Sequence, residues 1–331
     1  MRTIAVEEHY ATTAFLEGPG HTLREQAAAA SEHPEVSAGF IALIAQLRDL
    51  GDGRIAAMDA AGIDLQVLSL TSPGLEQADP DEAVSMAREA NDALSKAIRS
   101  HPDRLAGFAA LPTAVPDLAA DELQRAVEER GLVGALINGH VRGRYLDDEF
   151  FWPILARAEA LGRPLYLHPT PPPSSVIAGM YRGNYPESVT ATLATAAWGW
   201  HIDTATHLLR LILSGAFDRF PGLQLVVGHL GEALPFLLPR IDRSLPPQMT
   251  GLDRTVGDYL RTHVHYAISG FNWTPAFLDL LLQVGADRIL FSTDHPYSSM
   301  AQARAFLDRL PVSATDRERI AHDNAERLFA L

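Results

Sequence analysis

The 331-residue sequence contains no cysteine. Disulfides and thiolate metal ligation are therefore excluded, and any bound metal must sit on His, Asp, Glu and water. Lysine is almost as scarce: Lys96 is the single one among 27 basic residues. Against these stand 41 acidic residues, for a formal net charge of −14. Such a chain lacks the basic surface that nucleic acid or an anionic membrane requires. An anionic substrate would have to be met by a local cation, because the field of the whole protein repels it. No apolar run is long enough to span a bilayer. Residues 1–9 carry neither the basic start nor the apolar stretch of a secretion signal. The expectation is a cytoplasmic protein.

What is abundant is apolar: 47% of residues are hydrophobic, ample for a sizeable core. Short apolar runs occur at Thr3–Val6, Leu65–Leu70, Leu105–Ala110, Val133–Ile137, Pro164–Leu167, Leu223–Val227, Val264–Ile268 and Arg288–Phe291. Their near-continuous apolar character is that of parallel strands buried on both faces. Helical patterns alternate with them at Arg54–Ala61, Asp81–Ser100, Asp117–Arg130, Glu149–Leu161, Thr190–Ser214, Thr274–Val284 and Ala301–Leu310. Most stop at a glycine or before a proline. Eight strands separated by helices predict a (β/α)8 TIM barrel, with residues 1–331 as one domain. A doubly wound open sheet is the runner-up, but no GxGxxG follows the first strand.

Two stretches break the rhythm. Residues 10–53 form a long insertion after the first strand, with Phe40–Leu50 as a candidate helix, and residues 170–187 follow the fifth strand. Both are expected to cover the active face, since long connections in compact domains are usually lids or binding loops.

Polar clusters begin where four of the apolar runs stop: Glu7-Glu8-His9, Leu167-His168-Pro169, Gly228-His229-Leu230-Gly231-Glu232 and Ser292-Thr293-Asp294-His295-Pro296. Barrel enzymes place their chemistry at the C-terminal ends of the strands. Residues two apart on a strand share a side, so Glu7 and His9 can reach one metal while Glu8 points away. His168, His229 and Asp294 end the fifth, sixth and eighth strands. Any one strand-end histidine is more often structural, but five such residues on four strands suggest a shared centre. Imidazole and carboxylate ligands suit Zn2+ or Mn2+.

Together with Met58-Asp59-Ala60-Ala61-Gly62-Ile63-Asp64, Ile137-Asn138-Gly139-His140, Gly143-Arg144-Tyr145-Leu146-Asp147 and Trp198-Gly199-Trp200-His201, these strings resemble the decarboxylase branch of the amidohydrolase superfamily. That branch includes γ-resorcylate, 2,3-dihydroxybenzoate, 5-carboxyvanillate and aminocarboxymuconate semialdehyde decarboxylases. The resemblance implies one divalent ion on Glu7, His9, His168 and Asp294. It places His229 beside the substrate, supported by Glu232. Hydrolytic members often bridge two metals through a carboxylated lysine at a strand end. Here Lys96 lies inside a helix, and Asn138-Gly139-His140 stands at the end of the fourth strand, so a single metal is expected.

The expected reaction is nonoxidative, reversible decarboxylation of an ortho-hydroxybenzoate-type acid. Asp294 would protonate the ring carbon, with His229 and Glu232 assisting. The alternative is a mononuclear hydrolase of a small lactone, ester or amide, in which Asp294 deprotonates water. A non-catalytic barrel is a third reading, disfavoured by the intact ligand set. Arg240 matches a family arginine and is either a substrate contact or one half of a helix salt bridge. Arg54 is either a substrate contact or a solvated helix start. His140 and Phe271 are further candidates for lining the site. His201 and His207 read as structural, and His263 and His265 sit at the wrong end of the seventh strand. The family usually forms dimers or tetramers, so a homodimer or homotetramer is expected, with a small aromatic acid as the other partner.

Overall fold

The computed structural model describes residues 1–23, 25 and 34–331. Among the described residues eight strands occur, one for each apolar run: β1 (Ile4–Tyr10), β2 (Leu65–Leu70), β3 (Leu105–Gly107), β4 (Ala135–Asn138), β5 (Leu165–His168), β6 (Leu225–Val227), β7 (Val264–Ala267) and β8 (Ile289–Leu290). They pair in parallel in the order β1-β2-β3 and β4-β5-β6-β7-β8. Backbone hydrogen bonds join the two groups at both seams. At one seam Ala109 pairs with Ala135, and Leu136 N donates to Ala109 O at 3.0 Å. At the other, Val6 N donates to Phe291 O (3.1 Å), Asp294 N to Glu7 O (3.0 Å) and His9 N to His295 O (2.7 Å). The sheet thus closes on itself as a (β/α)8 barrel.

Two apolar layers result. Ile4, Val6, Val67, Phe108, Tyr166, Val226 and Leu290 fill the interior, joined by Ala325 and Phe329 from the helix Asn324–Phe329. The Phe329 ring lies 5.3 Å from that of Phe108 and helps close this end. The larger layer, including Leu68, Leu94, Leu123, Ile154 and Leu211, lies between strands and helices.

Strand β1 departs from simple alternation. Ile4 and Val6 face the interior, so strict period two would turn Glu8 inward and Glu7 and His9 outward. The β1–β2 register shifts between Ala5 and Glu8. This irregularity re-aims the side chains beyond it. Glu7 then meets the interior Tyr166, whereas the Tyr10 hydroxyl reaches Ala90 O outside the barrel. Glu7 and His9 do share a side, but the bulge decides which one.

The helices follow the sequence pattern with one break. Asp52–Ala61 and Trp152–Leu161 end at Gly62 and Gly162 in left-handed conformations (φ 71° and 60°). The span expected as one helix over Thr190–Ser214 is instead Glu187–Ala194 and Gly199–Leu213. The chain folds back at Gly199, where an added Cβ would stand 2.2 Å from Ala194 O. Only glycine admits that approach.

The long insertion expected over residues 10–53, with Phe40–Leu50 as its candidate helix, is largely helical where described: Pro34–Arg48 overlaps the expected helix, and Thr13–Glu17 is a further one. Residues 24 and 26–33 of it lie outside the described residues. Its end is tied to the rim of β1 by Ala11 N donating to Leu47 O at 2.9 Å. Residues 170–187 contain the short helical turns Ser174–Val176 and Ile177–Tyr181.

Phe329→Ala is expected to destabilise the fold by about 3–5 kcal/mol, read as a lower urea midpoint. An unchanged midpoint would mean that this ring contributes nothing to closing the barrel.

Candidate metal centre

Glu7, His9 and His168 offer ligand atoms that all lie within 4.8 Å of one another, and all three residues are buried. His168 Nε2 is 3.3 Å from Glu7 Oε1. Asp294 joins them through Oδ1, 3.1 Å from His9 Nε2. The carboxylate of Glu7 is used asymmetrically. Its Oε2 accepts hydrogen bonds from the Tyr166 and Ser269 hydroxyls. Its Oε1 is buried and has no hydrogen-bond partner. An orphaned carboxylate oxygen with imidazole nitrogens gathered around it fits a divalent cation.

The imidazole of His168 is oriented from behind. Its Nδ1 lies 3.0 Å from Asn138 Oδ1, which can only accept. Nδ1 therefore carries the proton, and Nε2 presents a lone pair toward Glu7. A hydrogen bond of this kind is what fixes the tautomer of histidines that ligate metals. β4 and β5 pair Asn138 directly with His168, so the register supplies the contact.

Beside Glu7 stands His229, whose Nε2 is 3.7 Å from Glu7 Oε1. His229 Nδ1 lies 2.8 Å from Glu232 Oε1, and Glu232 Oε2 lies 2.6 Å from His201 Nδ1. Burial disfavours charge on His229, but the carboxylates of Glu232 and Glu7 outweigh it and push the imidazole up to about 10. Burial likewise favours a neutral Glu7. The imidazoles of His229, His168 and His9 outweigh that and hold its carboxyl well below the usual range.

The backbone here is unusual. His229, Leu230, Glu232 and Ala233 all have φ between 51° and 65°, and Asp294 and Ser269 have φ of 61° and 49°. Non-glycine residues in this region are strained and gather at functional sites. Tight left-handed turns let the chain present His229 and Glu232 from one short segment after β6.

The remaining expected residues fall into two groups. Phe271, partly exposed, places its ring 5.5 Å from that of His229. Arg240 is exposed on the helix Leu234–Ser244 and has no ion pair among the described residues, so of its two readings the helix salt bridge is not seen there. Arg54 and His140 differ from expectation. Arg54 is only 2% exposed, so it is not a solvated helix start. Its guanidinium donates to Asp49 O, His9 O, Gln46 O and Gln66 Oε1, which leaves little to offer a substrate. It braces the rim of β1 from behind. Both ring nitrogens of His140 are also engaged: Nδ1 by Gln77 Nε2 and Gly143 N, and Nε2 by Pro171 O. His140 staples two loops together.

Several participants escaped the sequence reading. Tyr166 stands two residues before His168 on β5, so alternation alone aims both inward. Asn138 and Ser269 carried no local signal beyond their place at strand ends. His201, read as structural, reaches Glu232.

A family model described as amidohydrolase matches residues 45–331. The chain belongs to the amidohydrolase family. Among its relatives, a γ-resorcylate decarboxylase of Polaromonas sp. is 38% identical over 99% of this chain and 98% of its own length. The 5-carboxyvanillate decarboxylase of Novosphingobium aromaticivorans, solved as a point mutant with manganese and 3-methoxy-4-hydroxy-5-nitrobenzoic acid, superposes with a TM-score of 0.90 at 35% identity. The match covers 100% of this amidohydrolase and 97% of that chain. A dihydroxybenzoic acid decarboxylase of Polaromonas sp., solved with manganese and 2-nitroresorcinol, gives 0.88 at 36% identity, covering 100% and 97%.

Two substitutions probe the centre without touching a ligand. A Cβ on Gly228 would stand 2.5 Å from Glu7 Oε2 and 3.0 Å from Ser269 Oγ. Its φ of −83° suits any residue, so Gly228→Ala acts by crowding Glu7 and the two hydroxyls that hold it, not by backbone strain. Gly228→Ala and Asn138→Leu are each expected to weaken Mn2+ binding by about 10–100-fold, measured by titration of metal-free protein. Undiminished affinity in both would show that these four residues do not form the metal centre.

Proposed function

We propose that this amidohydrolase is a metal-dependent, nonoxidative decarboxylase of an ortho-hydroxybenzoate-type acid, such as a dihydroxybenzoate. The observation that carries this reading is the convergence of Glu7, His9, His168 and Asp294 in a chain similar from end to end to decarboxylases of aromatic acids. These four residues would hold one divalent ion, Zn2+ or Mn2+. When bound, the ion supplies positive charge that gathers the substrate's carboxylate and ortho oxygen and orients the ring.

The protein groups then divide the proton work. Asp294 directs Oδ1 at His9, which leaves Oδ2 to carry a proton. That proton passes to the ring carbon bearing the carboxylate. The electrons of the breaking carbon–carbon bond return to the ring as CO2 departs, so one proton is consumed per CO2 released. His229, held cationic between Glu232 and Glu7, replenishes Asp294 and steadies the substrate oxygens. Phe271 supplies an aromatic wall beside it. Arg240 meets substrate charge across a subunit boundary of a homodimer or homotetramer. The exposed Phe236 (77%) on the same helix and Trp273 (66%) support such a boundary.

Purified enzyme containing metal is expected to release CO2 from members of a hydroxybenzoate panel, with Asp294→Asn lowering kcat by about 10²–10⁴-fold. Turnover of a lactone panel without any CO2 release would favour the hydrolase instead. Elemental analysis of protein prepared without added metal distinguishes zinc from manganese, and light scattering reads the subunit number.

A further inference from the structure

The buried carboxylate of Glu232 has a second imidazole partner, which the mechanism above does not use. His201 lies on the helix Gly199–Leu213, 8% exposed, with Nδ1 2.6 Å from Glu232 Oε2. Its ring is 4.7 Å from that of His229 and 5.3 Å from that of Phe271. It therefore occupies the same wall as both.

The hydrogen-bond inventory fixes its state. Trp200 Nε1 is 3.1 Å from His201 Nε2, and an indole N–H can only donate. Ala196 O lies at the same 3.1 Å but can pair only with a protonated Nε2. The two demands exclude each other. Ala196 is exposed, so water can serve its carbonyl, whereas the half-buried indole depends more on a protein acceptor. Nε2 is then bare, and the single ring proton sits on Nδ1 and donates to Glu232.

We infer that His201 is a positioning residue, a neutral Nδ1–H donor that clamps the free oxygen of Glu232 so that its other oxygen stays on His229 Nδ1. A glutamate side chain held through one oxygen retains rotational freedom, whereas one held through both is pinned. The break before Gly199 serves this clamp, because the fold-back places Trp200 and His201 at the start of a new helix. The effect on turnover rests on the decarboxylase reading above. The hydrogen bond itself does not.

Two variants and one spectrum test the inference. His201→Phe keeps a ring in the wall but has no donor, and His201→Gln offers an amide N–H to Glu232. His201→Phe is expected to lower kcat by about 10–100-fold while leaving Mn2+ affinity unchanged, and His201→Gln to recover most of the loss. Full kcat in His201→Phe, or no recovery in His201→Gln, would overturn the proposal. Nitrogen NMR of the wild-type ring is expected to show a protonated Nδ1 and a bare Nε2, and the opposite tautomer would also overturn it. If the wild type released no CO2 from any hydroxybenzoate, the decarboxylase reading would fail, and the spectrum would still decide whether the clamp exists.

Discussion

Glu7 and Glu8 are neighbours on a strand and so lie on opposite sides of the barrel wall, and the shift in the pairing of β1 decides which of them faces inward. Glu7 enters a cage of three imidazoles and two hydroxyls. Glu8 turns to Gln66 Nε2 and to the backbone N and hydroxyl of Thr293. Their chemistry diverges accordingly. Burial pushes the Glu8 carboxyl up to about 8, with Thr293 and Arg54 offsetting only part of it. Glu7 is equally buried, but the imidazolium of His229 beside it outweighs the burial and holds its carboxyl low. A slip of one residue would exchange the two. Glu8 would face the histidines, and Glu7 would lose both hydroxyl partners.

Arg54 guards against that slip. Its guanidinium holds His9 O at 2.7 Å and Gln66 Oε1 at 3.1 Å, and Gln66 in turn holds Glu8. A buried arginine is expensive unless its donors are satisfied. Here they are spent on the backbone just beyond the bulge and on the residue beside Glu8. The cost goes into register, which is what the site requires.

The architecture was legible because parallel strands buried on both faces leave near-continuous apolar runs, and eight of them can be counted. The strand-end polar strings were legible for the same reason, since each interrupts such a run. What the sequence hides is anything set by approach between distant segments. The fold-back at Gly199 looks like one residue inside a helical pattern. Arg54 looks like a solvated helix start, because nothing local announces that β1 and Gln66 will close over it. His140 has the position of a pocket residue, but loop contacts with Gln77 and Pro171 claim its ring. Asn138 and His201 show their partners only when another element is laid beside them, so no spacing rule exposes them.

The seam between β8 and β1 carries a consequence for the order of events in folding. Glu7 comes from the first strand and Asp294 from just beyond the last, and Asp294 N donates to Glu7 O across that seam. Closing the ring and completing the proposed ligand set are therefore the same event. A ribosome must deliver nearly the whole chain before Asp294 arrives, so the nascent protein cannot complete the proposed set early. During synthesis the exposed edge of β1 waits for its neighbour, and an ion captured by Glu7 and His9 alone would be held by an incomplete set.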